Sequence, residues 1–241
     1  MRINKPILNH EEPSFQQFVS RVSRVMRSLR NSLAIAAIAA VLAACSGSST
    51  KKTYFETEGL RAPEGSCSVK PSRLGIAERL GRISEGNGCH IPDPWSIRSV
   101  GSVTLSQPAT LNCGMAEPLN DWIENTVQPA AQRAFGESVI GVDVAASYSC
   151  RPRNNMRGAR MSEHGYGNAI DISAFTLESG RKVTVLDGWR GGRDERKFLS
   201  KVHGEACGEF RTVLGPNSDR SHRDHLHLDL QNRRSGSTYC R

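Results

Sequence analysis

Aromatic side chains make up only 6% of this 241-residue chain, so a folded core must come mainly from aliphatic residues. The 11 prolines include no Pro-Pro pair, which excludes a proline-rich extended rod. No Cys-x-x-Cys pair occurs, which removes the usual thiolate zinc site. No Gly-x-Ser-x-Gly occurs either, so a serine-hydrolase nucleophile elbow is missing. The apolar run Leu33 to Ala44 is 12 residues long, short of the roughly 20 that a membrane-crossing helix needs. What remains, 23% charged and 37% hydrophobic residues, is the composition of a soluble globular protein.

The short apolar run has a different reading. Arg27 and Arg30 precede it, and small residues end it. That is the pattern of a secretory signal peptide. Leu42-Ala43-Ala44-Cys45 resembles the lipobox of bacterial lipoproteins, which implies cleavage before Cys45 and lipid on that cysteine. Ser46 in the next position implies the outer membrane by the same resemblance. The chain therefore divides into a signal peptide, 1–44, a lipidated polar tether, 45–66, and a domain, 67–241. Met26 is an alternative start, and an ordinary secretory signal is the alternative to a lipobox. Residues 1–44 carry six basic and two acidic side chains, which leaves 26 against 22 downstream. That mild excess suits an anionic envelope and argues little for nucleic acid.

Six cysteines follow Cys45: Cys67, Cys89, Cys113, Cys150, Cys207 and Cys240. An even number in an exported chain predicts disulfides, with the pairing left open. "AEPLNDWIENTVQPAAQRAFG" has helical spacing, with Pro129 placed to divide the helix and Gly136 to stop it. "SVIGVDVAASYSC" reads as a strand. "AIDISAFTL", "ESG" and "RKVTVLDGW" read as a hairpin, and "DERKFLSKVHGEACGEF" as a helix capped by Asp194. "DHLHLDL" alternates as a strand. Strands and helices interspersed with hairpins predict an α+β domain on a small antiparallel sheet.

Two stretches carry the chemistry. In "DHLHLDL", the leucines share one face, and His225, His227 and Asp229 share the other. In "NAIDISAF", Ile170 and Ile172 face the core and Asp171 faces away. Placed side by side in one sheet, these strands bring Asp171 and His227 together. Gly165 and Gly167 allow the loop before Asp171 to fold back and return His164. Two imidazoles and a carboxylate with one corner left open are how catalytic zinc is held. The plainer alternative is a solvated strand face with no metal. His90 and His203 fall outside the constellation, and Asp229 reads as a partner that holds an imidazole.

Ser162-x-His164-x-x-Gly167-x-Ala169-x-Asp171, with His225-x-His227 later, resembles zinc D-Ala-D-Ala carboxypeptidases, which share a fold with hedgehog-type and lysostaphin-type domains. His222-x-x-His225-x-His227 is also similar to penicillin-insensitive murein endopeptidases. Most of 67–241 resembles the bacterial extensin-like C-terminal domain family, through "LNCGMAEPLNDWI", "VQPAAQRAFG", "SYSCR", "SEHGYGNAIDISAF", "FRTVLGP" and "DHLHLDL". The resemblance implies His164, Asp171 and His227 as Zn²⁺ ligands. It implies His225 in steadying the oxyanion or sharing the proton work, Asp224, where the carboxypeptidases place Glu, or His225 and His222 as the base, and Arg151 at the substrate carbonyl. The expectation is a periplasmic, lipid-anchored zinc peptidase acting on peptidoglycan. The rivals are a peptidoglycan-binding module on the same fold and a disulfide-stapled structural protein without metal.

Overall fold

The computed structural model describes residues 74–241. The segments expected to be a signal peptide, 1–44, and a lipidated tether, 45–66, lie outside the described residues, as does Cys67. The elements in chain order are β1 (Ala77–Arg79), β2 (Ile83–Ser84), β3 (His90–Ile91), β4 (Pro94–Val100), β5 (Val103–Asn112), α1 (Cys113–Trp122) and α2 (Gln128–Phe135). There follow β6 (Val139–Ala146), β7 (Ala169–Leu177), β8 (Lys182–Thr184), α3 (Val185–Gly188), α4 (Arg193–Glu209), β9 (Thr212–Leu214), β10 (Leu226–Asp229) and β11 (Tyr239–Cys240). No helix among the described residues is long and apolar enough to cross a membrane.

The fold is mixed α/β, and its sheet is larger than the sequence suggests. Nine strands join one sheet in the order β1-β4-β5-β6-β7-β10-β9-β11, with β8 also on β7. Most ladders are antiparallel, but β5–β6 and β9–β11 are parallel. The short strands β1, β9 and β11 carry too little alternation to be read from sequence. The core holds Ile97, Leu111, Val142, Ile170, Ile172, Leu226 and Leu228 from the strands, with Leu119, Trp122, Phe198 and Val202 from the helices.

The hairpin β7–β8 forms as read, but the second strand stops at Thr184. The Thr184 hydroxyl accepts from the Asp187 N–H at 3.1 Å and caps α3, which replaces the expected strand over "VLDG". Gly192, not Asp194, stands at the N-cap of α4, and the Glu195 carboxylate accepts its N–H at 3.1 Å. The helix before Pro129 begins at Cys113, earlier than the apolar spacing implies, because Asn112 caps it by accepting from the Met115 N–H at 3.0 Å. It divides at a wide π-type turn, Ile123–Val127, just before Pro129, whose nitrogen has no hydrogen to continue the ladder.

β7 contains an irregularity that matters for its faces. Its register against β6 steps from Asp143–Ala174 to Val144–Ile172, which passes over Ser173. A bulge of this kind reverses side-chain parity. Ile170 and Ile172 before it, and Phe175 and Leu177 after it, all reach the same core. Asp171 is left on the opposite face.

Two disulfides join described cysteines, Cys89–Cys150 and Cys207–Cys240, and Cys113 is disulfide-bonded as well. Trp122 is fully buried, packs against Phe175 and Phe210, and donates its indole N–H to the Val202 carbonyl at 2.9 Å. It ties helix to helix over the sheet. Trp122→Ala should cost about 3–5 kcal/mol, read as a shift in the urea midpoint without a change in slope.

Candidate metal centre

The antiparallel register of β7 and β10 places Asp171 directly opposite His227. His227 Nδ1 lies 2.8 Å from Asp171 Oδ1, and its Nε2 lies 2.9 Å from Asp229 Oδ2. His164 arrives from the loop before β7. Its Nδ1–H donates to the Ser147 carbonyl at 2.6 Å, because a carbonyl can only accept. That turns Nε2 toward Asp171 Oδ2, 3.2 Å away. Ligand atoms of His164, Asp171 and His227 all fall within 4.8 Å of one another, and all three residues are buried.

The electrostatics explain why these groups stay together. Burial pushes the Asp171 carboxyl toward its neutral form, but hydrogen bonds from His164 and His227 outweigh that and hold it far below the usual carboxylate range. Burial likewise disfavours a charged His227, yet hydrogen bonds to Asp171 and Asp229 outweigh it and raise its pKa to about 9. Without metal, the proton held on His227 offsets the charge of the buried carboxylates on either side of it. A divalent cation would take over that task, with deprotonated imidazole nitrogens facing it. Asp229 and the Ser147 carbonyl each hold the far nitrogen of one ring, as partners of metal-bound histidines commonly do. The residues present therefore fit a divalent cation.

Close packing sets the loop. Glu163–Tyr166 makes one helical turn that ends at Gly167, whose φ is 58°. A Cβ at Gly167 would come within 2.8 Å of the Asn112 nitrogen and 2.6 Å of Ile91 Cδ1. The Gly167 carbonyl accepts from that same Asn112 N–H at 2.7 Å. At Gly165, a Cβ would lie 2.8 Å from Cys89 Sγ, so the loop rests on the Cys89–Cys150 disulfide.

The family comparison agrees with the resemblance to the extensin-like C-terminal domain family. Residues 66–241 match the family model described as "Extensin-like protein C-terminus". The chain belongs to this family. No curated protein and no solved structure matches it.

In the extensin-like domain, a cavity of about 390 Å³ opens on the three clustered residues. Arg151, His222 and His225 line it, as does Asp229. His225 lies just ahead of β10, with Nε2 3.7 Å from Asp171 Oδ2 and its Nδ1–H donating to Asp224 Oδ1 at 2.9 Å. Asp224 is exposed and is not part of the cavity lining. It reaches the site only through His225. His222 donates Nδ1–H to Asp219 Oδ2 at 2.9 Å, and its ring lies 5.3 Å from that of His225. Burial lowers the His222 pKa, and Asp219 offsets part of this. His203 bonds the Arg241 carbonyl, and His90 packs against Tyr166; neither lines the cavity.

Asp219 and Arg233 are lining residues that the sequence reading missed. Asp219 sits three residues before His222 and also accepts from the Ser221 N–H at 2.8 Å, so an Asp-x-x-His turn was the available signal. The Ser147 carbonyl left no side-chain signal.

Gly167→Ala should lower stability by about 1–3 kcal/mol, seen by thermal melting. The raised pKa of His227 sets a second expectation. A group protonated more readily folded than unfolded stabilises fully below its unfolded pKa, near 6.5, and loses that contribution as pH rises through about 9. Metal-free protein should therefore show a melting temperature that falls across that window, with a flatter profile for His227→Gln.

Proposed function

We propose that this protein is a zinc-dependent peptidase of the bacterial cell envelope that hydrolyses peptide bonds of peptidoglycan, as a D-Ala endopeptidase or carboxypeptidase. The observation that carries this reading is the convergence of His164, Asp171 and His227 at the floor of a cavity that His225 also lines. Two imidazoles and one carboxylate suit Zn²⁺ better than Ca²⁺ or Mg²⁺. The match of Ser162–Asp171 and His225–His227 to the zinc D-Ala-D-Ala carboxypeptidase pattern supports the substrate class. The signal-like start and Cys45 lipobox support a periplasmic protein held by lipid, with the outer membrane as the favoured site.

Bound zinc would supply a Lewis acid for the scissile carbonyl and a water of pKa near 7. The chain's own residues would do the rest. The Asp224 carboxylate holds Nδ1–H of His225, which leaves Nε2 of that ring as the proton acceptor on the cavity side. His225 takes a proton from the attacking water and returns it to the leaving amine. His222, held by Asp219, lies beside His225 and can share that proton. Arg151, on the cavity wall, offers a fixed positive charge to the carbonyl oxygen as it gains negative charge. Asp224 thus orients the base, while the ring does the transfer.

A second reading has a specific observation in its favour. The only acid in the position where the carboxypeptidases carry Glu is Asp224, and it stands outside the cavity. A non-catalytic peptidoglycan-binding lipoprotein on the same fold would need no base there.

Purified protein should carry one zinc per chain, and His164→Ala and Asp171→Ala should each lose it, measured by metal analysis. Zinc-loaded protein incubated with purified sacculi should change the muropeptide profile. His225→Ala should keep zinc and lower the rate by about 10²–10⁴. An unchanged profile with zinc-loaded wild-type protein favours the binding module, and zinc-free protein after purification in zinc-containing buffer rejects the metal.

A further inference from the structure

Beside the metal-side cavity lies a second one of about 610 Å³. Its lining is Arg153, Arg160, Gln231, Asn232, Arg233 and Arg234, with no acidic residue. Arg153, Gln231 and Arg233 line both cavities, so the two share a wall. The arginines come from two segments with defined backbones. Arg153 and Arg160 face each other across a loop closed by the Arg153 N–H to Arg160 carbonyl bond at 3.0 Å and the Pro152–Met161 bridge. The second segment leaves β10 through Gln231, whose N–H donates to Asp229 Oδ1 at 2.9 Å.

Partners differ among the four. Arg233 donates to the Arg211 carbonyl at 2.9 Å and to Thr212 Oγ1 at 2.8 Å, which aims its guanidinium. Arg153 reaches Glu163 at 3.6 Å. Arg160 and Arg234 are exposed and form no ion pair with an acidic side chain among the described residues. Glu163 partly offsets Arg153, but Arg160, Arg233 and Arg234 have no acidic partner among the described residues, and guanidinium groups sharing one concavity repel one another less when a further anion joins them. Their planar forks match carboxylates in two-point contacts, and a cleft lined by one sign of charge concentrates the opposite sign. The placement is directional too. This cavity lies at the Asp229 end of β10, while His222 and His225 lie at the other end, ahead of Leu226.

We infer that the arginine-lined cavity is a carboxylate subsite, and that the molecule bound across the metal centre is an acidic peptide with a free carboxylate toward the Asp229 end. The peptide-bond chemistry rests on the peptidase reading above; the carboxylate preference does not, because binding can be measured without cleavage.

The test uses purified full-length protein in its metal-free form, so no bond is cut. Soluble muropeptides and the same muropeptides with their carboxylates amidated are titrated against wild type, Arg160→Glu/Arg234→Glu and Arg160→Gln/Arg234→Gln. Both altered residues are exposed, so the variants should keep the wild-type melting temperature and zinc capacity. Amidation should weaken binding to wild type by about tenfold or more, since charge-assisted contacts are lost. The glutamate variant should weaken native muropeptides to a similar degree and leave amidated ones unchanged, with the glutamine variant in between. Equal affinity for native and amidated muropeptides, no binding of either, or no response to charge reversal would overturn the subsite. A poly(glycerol phosphate) probe separates carboxylate from phosphate: capture of that polymer through the arginines, with no preference among muropeptides, also overturns it. Carboxylate-dependent binding by a protein that cuts no sacculi would leave the subsite standing and remove only the hydrolase reading.

Discussion

Everything at this site depends on one buried anion. Asp171 is nearly excluded from solvent, and an isolated carboxylate in such a place would cost several kcal/mol. Two imidazoles compensate it. Each of those rings is held from behind, His227 by Asp229 and His164 by the Ser147 carbonyl. The arrangement is a negative well with oriented nitrogen walls, and it makes electrostatic sense only with positive charge inside. Protons can supply that charge, and so can a divalent metal. The same feature that demands compensation in the folded chain is what would select a cation.

The sheet supplies two of the three candidate ligands, Asp171 and His227, and the loops supply His164 and the groups around them. β10 lies between β7 and β9, so the His227–Asp171 pair sits on a strand paired on both sides. The groups around it come from loops, which is the usual division of labour in enzymes and binding proteins. The loop with His164 rests on the Cys89–Cys150 disulfide. A second disulfide, Cys207–Cys240, ties the end of α4 to the edge strand β11. Each of these two staples holds a short strand or its approach, Cys89 just ahead of β3 and Cys240 within β11, where few ladder bonds fix the chain.

Much of this was legible because strand periodicity has only two phases. The alternation in "DHLHLDL" separates Leu226 and Leu228 from His227 and Asp229, and the structure buries the leucines in the core. The same parity argument works for Ile170, Asp171 and Ile172. It would have failed three residues later, because the bulge at Ser173 reverses the phase. Strand boundaries were less legible. Asp224 and His225 look like part of the alternating run, yet the strand starts at Leu226. That start frees His225 to turn toward Asp171 while keeping its other nitrogen on Asp224. The helix caps Asn112 and Gly192 were missed because capping is decided by backbone direction, which neighbouring elements set.

The sequence by itself determined which residues could bind a cation, which faces of two strands would be apolar, and where glycine had to stand before Asp171. These follow from local chemistry and a two-residue repeat. Only the tertiary structure decided that β7 and β10 are neighbours in the one register that opposes Asp171 to His227. It also decided that Asp224 meets the site only through its hydrogen bond to His225, and that arginines from distant segments share one cavity. Contacts between residues far apart in the chain depend on how the sheet is ordered, and no local pattern carries that order.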